Sequence, residues 1–161
     1  MARRKVLFVC LGNACRSQMA EAFARTYGSD VMEPSSAGLT PASMIPEVTH
    51  AVMSEKGIQL QQQFPKMMPL VRTDVFDLVV NLSGYPLRTQ DCEVREWTVR
   101  DPMGSKDSVH REVRDEIERL VMNLILELRQ AGRTPTQQPA VTIQPENPST
   151  DTQRRRPRML R

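Results

Sequence analysis

An α/β fold, a parallel sheet with helices on both faces, is what this sequence predicts, and three observations predict it. Short apolar runs such as "KVLFV" and "FDLVVNL" read as strands buried on both sides. Segments with a 3.6-residue apolar period lie between and after them. The two kinds of segment alternate, and alternation places helices as crossovers on a parallel sheet.

The first strand is Lys5–Val9. The helix Ser17–Tyr27 follows, with Met19, Ala20, Phe23, Ala24 and Tyr27 on one face, and Gly28 ends it. Val31–Ser36 is a weaker second strand, stopped by "SAGLTP". Pro46 suits the first turn of a helix over Pro46–Lys56, with Val48, Val52 and Met53 as its stripe. Residues 59–72 carry no clear period. Phe76–Leu82 is a buried strand, and "EWTVRDP" (Glu96–Pro102) reads as a fourth, short one. A long helix, Asp107–Gln130, turns Val109, Val113, Ile117, Leu120, Val121, Leu124 and Leu128 inward, with Ser105 or Asp107 as its cap.

The 161 residues divide into a folded part, 1–130, and a tail, 131–161. The tail holds five prolines and no aromatic residue, so it cannot bury enough apolar surface to offset its ordering and reads as disordered. It also explains the basic net charge of +3: it carries six arginines and two acids, which leaves residues 1–130 with 16 basic and 17 acidic side chains. The folded part therefore has no nucleic-acid signature, and "RRRPR" reads as a solvated cluster, with an acidic partner or nucleic acid as the alternative. No run of 18 apolar residues exists to span a membrane. The opening "MARRKVLFVC" is too short a run for a signal peptide, so a cytoplasmic protein is expected.

Three cysteines, Cys10, Cys15 and Cys92, fit neither a secreted disulfide scaffold nor a zinc site, and His50 and His110 lack ligand spacing. No metal and no cofactor are expected. What the cysteines do offer is position. Cys10 sits where the first strand stops, at the sheet edge where ligands of such folds bind. The loop Leu11, Gly12, Asn13, Ala14, Cys15, Arg16 then opens a helix. Gly12 and Asn13 tolerate positive φ, which curls successive N–H groups inward as an anion nest. The helix N-terminus adds partial positive charge, and Arg16 adds a fork for a tetrahedral oxyanion. The same field favours the thiolate form of Cys10, a nucleophile. Asp101, made extended by Pro102, stands at the mouth of the fourth strand as a candidate acid.

"VLFVCLGNACRSQMAEA", "SSAG", "FDLVV" and "DP", in this order, resemble the low-molecular-weight protein tyrosine phosphatase superfamily, which includes the thiol-coupled arsenate reductases. The resemblance covers roughly residues 4–130. It implies a four-stranded parallel sheet flanked by helices, Cys10 as nucleophile, Arg16 on the phosphoryl oxygens, and Asp101 as general acid and then base. It also implies that Ser17 steadies the thiolate and that Asn13 holds the loop's shape. The expected activity is a phosphomonoesterase acting through a cysteinyl-phosphate, on a phosphotyrosine protein or a small aryl phosphate. The alternative is an arsenate reductase supplied by a thioredoxin or glutathione system, and "NACRSQMAE" looks closer to that branch. Reductases pass oxidation to a cysteine just after the "LVV" strand, where this chain has Ser83, with Cys92 nine residues on. Tyrosine-specific members follow D-P with an aromatic, where this chain has Met103. Cys15, within the loop, is a second redox candidate beside Cys92. A non-catalytic phosphate-binding or scaffold protein is the remaining reading.

Overall fold

The computed structural model describes residues 2–68, 72–89 and 91–133. The expected disordered tail lies, from residue 134 on, outside the described residues. Four parallel strands form one sheet in the order β2-β1-β3-β4. They are β1 (Arg4–Cys10), β2 (Met32–Gly38), β3 (Leu78–Asn81) and β4 (Glu93–Glu96). Three α-helices accompany them: α1 (Arg16–Tyr27), α2 (Glu47–Ser54) and α3 (Asp107–Ala131). Among the described residues no helix is long and apolar enough to cross a membrane.

The sheet's two faces are covered unequally. Val6, Phe8, Leu78 and Val80 share one cluster with the buried apolar side chains of all three α-helices. Leu7, Val9, Ala37 and Val79 form the other, closed by Met68, Leu39, Phe76 and Leu87, with a single 3-10 turn (Thr73–Val75) leading into Phe76. Alternate residues of β1 thus face opposite clusters, as a central strand requires. β2 and β4 are the edges. Pro34 is tolerated within β2 because an edge strand has one side without a ladder, and the charged "EVRE" of β4 discourages further pairing.

α1 is buried from Arg16 to Ala24, polar residues included, so its period reveals only part of its packing. Gly28 caps it through an N–H bond to Ala24 O, and a side chain there would strike Ile125 of α3 at 2.6 Å. Close approach of α1 and α3 is therefore what selects glycine.

Two sequence readings shift. The fourth strand is not Glu96–Pro102: the ladder with β3 runs over Glu93–Glu96. Trp97 and Val99 supplied the apolar signal because they pack into the core from a loop, Trp97 with its ring 6.0 Å from that of Phe8. Neither Ser105 nor Asp107 caps α3: Lys106 holds the cap position, with no side-chain cap bond.

Candidate active site

β1 is the central strand from which the chain crosses first to β2 on one side and later to β3 on the other. The crevice of such a sheet opens at that switch point, beyond the carboxyl ends of the strands. Cys10, the last residue of β1, stands there, buried. The loop from Leu11 to Cys15 then leads into α1.

The loop owes its shape to restraints from outside itself. Leu39 N–H donates to Cys10 O at 3.1 Å, Thr40 N–H to Leu11 O at 2.8 Å, and Ala42 N–H to Gly12 O at 2.9 Å. The segment after β2 thus pulls three successive carbonyls outward. A peptide's C=O and N–H point in opposite directions, so each tie turns the following N–H inward. Among the described residues none of the N–H groups from Gly12 to Cys15 donates to a protein acceptor. The geometry is compatible with an anion nest and departs from the sequence expectation at Gly12: within the loop only Asn13 has positive φ, at 47°.

Gly38 lets the two segments approach. A Cβ there would lie 2.9 Å from both Asn13 N and Leu11 O. Gly38→Ala is expected to push the loop off its anchors and to cut phosphate affinity about tenfold or more, as one or two ionic hydrogen bonds are lost. Protection of Cys10 from alkylation by phosphate measures this, and unchanged protection would contradict it.

Asn13 and Ser17 form a hydrogen-bonded chain that ends on the sulfur. Lys66 N–H donates to Asn13 Oδ1 at 2.9 Å, which fixes the amide. Asn13 Nδ2 then donates to Ser17 Oγ at 2.8 Å. Ser17 Oγ lies 2.9 Å from Cys10 Sγ, a contact in which either group can donate; toward a thiolate, Ser17 O–H would be the donor. The chain of hydrogen bonds runs from the Lys66 backbone amide to the Cys10 sulfur.

Arg16 is buried at 5 % exposure. Its Nη1 donates to Leu82 O at 2.7 Å and Val99 O at 3.2 Å, the chain just after β3 and β4. Its Nη2 is 3.2 Å from Asp101 Oδ2. The Nε–Nη2 edge remains as the fork for an oxyanion. Asp101 is itself held by Met103 N–H at 3.1 Å. Cys10, Leu11, Gly12, Ala14, Cys15, Arg16, Thr40, Ala42, Asp101 and Met103 line a cavity of about 330 Å³ with no aromatic wall. A larger cleft of about 430 Å³ lies elsewhere, beside Asp30, Leu128 and Arg129, and carries no nucleophile.

The structure thus brings Cys10, Arg16, Asp101 and Ser17 together. Of the other thiols, Cys15 lines the same cavity and Cys92 lies far from it. Cys15 Sγ, beside the pocket, bonds Thr49 Oγ1 at 3.1 Å and touches Met103 Sδ at 3.3 Å. Burial pushes its thiol up to about 11. Cys92 precedes β4 and packs against the other face of the sheet. By register it stands level with Lys5. That is about 17 Å along the strands and about 10 Å across them from Cys10, far outside disulfide reach. Ser83 is buried in a turn, its hydroxyl donating to Asn81 Oδ1 at 2.6 Å.

Sequence reasoning missed Gly38, Lys66, Thr49 and Gln18 as parts of the site. Gln18 is fully buried; its Nε2 donates to Asn13 O at 2.9 Å and Phe64 O at 3.0 Å. Among the described residues no cluster of three His, Cys, Asp or Glu forms that could hold a metal ion.

A family model for low molecular weight phosphotyrosine protein phosphatase matches residues 5–134. A glutaredoxin arsenate reductase from Synechocystis sp. is 35 % identical over 131 residues, 78 % of this chain and 98 % of that protein. A solved arsenate reductase in the phosphate-binding state superposes with a TM-score of 0.71 at 33 % identity, covering 78 % and 98 % of the two chains. An arginine phosphatase from Geobacillus stearothermophilus superposes at 0.70 and 25 % identity, over 80 % and 94 %. The chain belongs to the low molecular weight phosphotyrosine protein phosphatase family.

Proposed function

We propose that the chain is an arsenate reductase that starts the reaction on its own loop thiol and finishes it with an external one. The carrying observation is that a relative matched over nearly its whole length is a glutaredoxin arsenate reductase. This reverses the order reached from sequence, which put the phosphomonoesterase first. The pocket agrees with a small tetrahedral oxyanion, since among the described residues no aromatic side chain lines it.

Cys10 thiolate attacks arsenic in arsenate, held by the loop N–H groups and Arg16, and Asp101 protonates the oxygen that leaves as water. The product is a Cys10–arsenic(V) adduct. A second thiolate attacks Cys10 Sγ. The S–As bond breaks with its electron pair moving to arsenic, arsenite leaves, and Cys10 is left in a disulfide. A further thiol reduces that disulfide, so two thiols are oxidised for each arsenate. We assign the second thiol to an outside donor. Ser83 is a hydroxyl, Cys92 is too far, and Cys15, held protonated up to about 11, offers almost no thiolate at neutral pH. Glutathione with a glutaredoxin, or a thioredoxin, supplies that chemistry, and a reducing, cytoplasmic setting suits it.

The second reading, a phosphatase, is favoured by Ser83 and by Asp101 standing beside Arg16. There Cys10 attacks phosphorus, Asp101 protonates the leaving group, and water hydrolyses the cysteinyl-phosphate. Of substrates, the wall of Met103, Thr40 and Ala42 suits a flexible phosphate ester better than phosphotyrosine.

Purified protein given arsenate with each thiol system should form arsenite, and Cys92→Ser should leave the rate unchanged. No arsenite with any thiol donor, alongside steady hydrolysis of a phosphomonoester that Asp101→Asn slows by about 10²–10⁴-fold, would replace the first reading by the second.

A further inference from the structure

We propose that Gln18 is a positioning residue of the anion site: by holding Asn13 C=O behind the loop, it turns Ala14 N–H into the pocket. Backbone ties from residues 39–42 orient the peptides that follow Cys10, Leu11 and Gly12, and Met19 N–H, at 2.9 Å from Cys15 O, orients the peptide of Arg16. The peptide joining Asn13 to Ala14 receives no backbone tie. Its carbonyl is taken by Gln18 Nε2 at 2.9 Å. The link is trans, so the Ala14 N–H points the opposite way, toward the cavity that Ala14 lines.

The orientation of the Gln18 amide follows from its partners. Nε2 faces two carbonyls, those of Asn13 and Phe64, while Oε1 accepts from Gln63 Nε2 at 2.6 Å. Turned over, the amide would set an oxygen against two carbonyl oxygens. Gln63 also donates to Gln18 O at 3.1 Å. Gln18 is thus fully buried with both of its Nε2 hydrogens and its oxygen engaged, and it ties the segment around Phe64 to the loop. No contact with the oxyanion is required of it; it acts through the Ala14 amide. The inference concerns how the anion is held, whatever becomes of it, so it stands apart from the choice between arsenate reduction and ester hydrolysis.

The test is a titration of the full-length protein with inorganic phosphate, followed by the amide ¹H–¹⁵N resonances of the loop. In the unaltered chain the loop amides, Ala14 included, shift on binding. In Gln18→Leu the Ala14 amide is expected to lose its response, while Gly12 and Asn13, held from residues 39–42, keep theirs. The phosphate Kd should rise about tenfold, the scale of one hydrogen bond to an anion. Gln63→Ala, which frees Gln18 without removing it, should give the same pattern with a rise of about threefold, and it decides the question if Gln18→Leu does not fold. An Ala14 response that persists with Kd within about twofold overturns the proposal. A uniform loss of response by every loop amide overturns it too, because that is loosening of the helix and not reorientation of one peptide.

Discussion

Cys10→Ser is expected to abolish turnover, by about 10⁴-fold or more, while phosphate still binds. The hydroxyl it introduces ionises far less readily than a thiol, so the relay from Lys66 N–H through Asn13 and Ser17 has no anion to polarise. A serine adduct would also have no sulfur for the second thiol to attack, which blocks arsenate reduction at its second step as well as its first. The oxyanion site itself is made of N–H groups and Arg16, so phosphate affinity should stay within about threefold. Arsenite formation and phosphate binding, measured on the same preparation, test both halves. Residual turnover above about 1 % would remove Cys10 from the nucleophile's role.

Arg16→Lys should cost about 10³-fold in kcat/KM, near 4 kcal/mol of transition-state stabilisation. The charge is kept and the geometry lost. Nη1 satisfies the buried carbonyls of Leu82 and Val99, and Nη2 pairs with Asp101. A single ammonium cannot serve two carbonyls, a carboxylate and an oxyanion in those directions. The substitution also releases Asp101, which Arg16 holds at 3.2 Å, so the acid should lose its place together with the fork. Steady-state kinetics with arsenate or an ester, whichever is turned over, check this. A loss below about tenfold would mean that charge alone suffices.

The candidate site was legible where it is local. Cys10, the loop and Arg16 lie within seven consecutive residues, and a strand–loop–helix pattern is enough to aim them at one anion. Asp101 was legible because Asp-Pro follows an apolar stretch, although the strand itself lies earlier, at Glu93–Glu96. Trp97 and Val99 misled because burial from a loop and burial in a strand leave the same apolar mark. Gln18 and Lys66 were not legible. A glutamine within a helix and a lysine in an irregular segment read as surface residues, and their roles rest on partners 46 and 53 residues apart from Gln18 and Asn13. The reach of Cys92 was not legible either, since sequence spacing does not reveal that its end of β4 is the end opposite to Cys10.

The outward ties of the loop have a consequence for biosynthesis. A nascent chain that stops short of Leu82 already contains Cys10, Asn13, Arg16 and Ser17. It has neither carbonyl that steers the guanidinium, and no Asp101. Contacts of such long sequence separation close late, so the short motif that announces the chemistry gains its geometry only after about the first hundred residues have left the ribosome and the sheet has closed on itself.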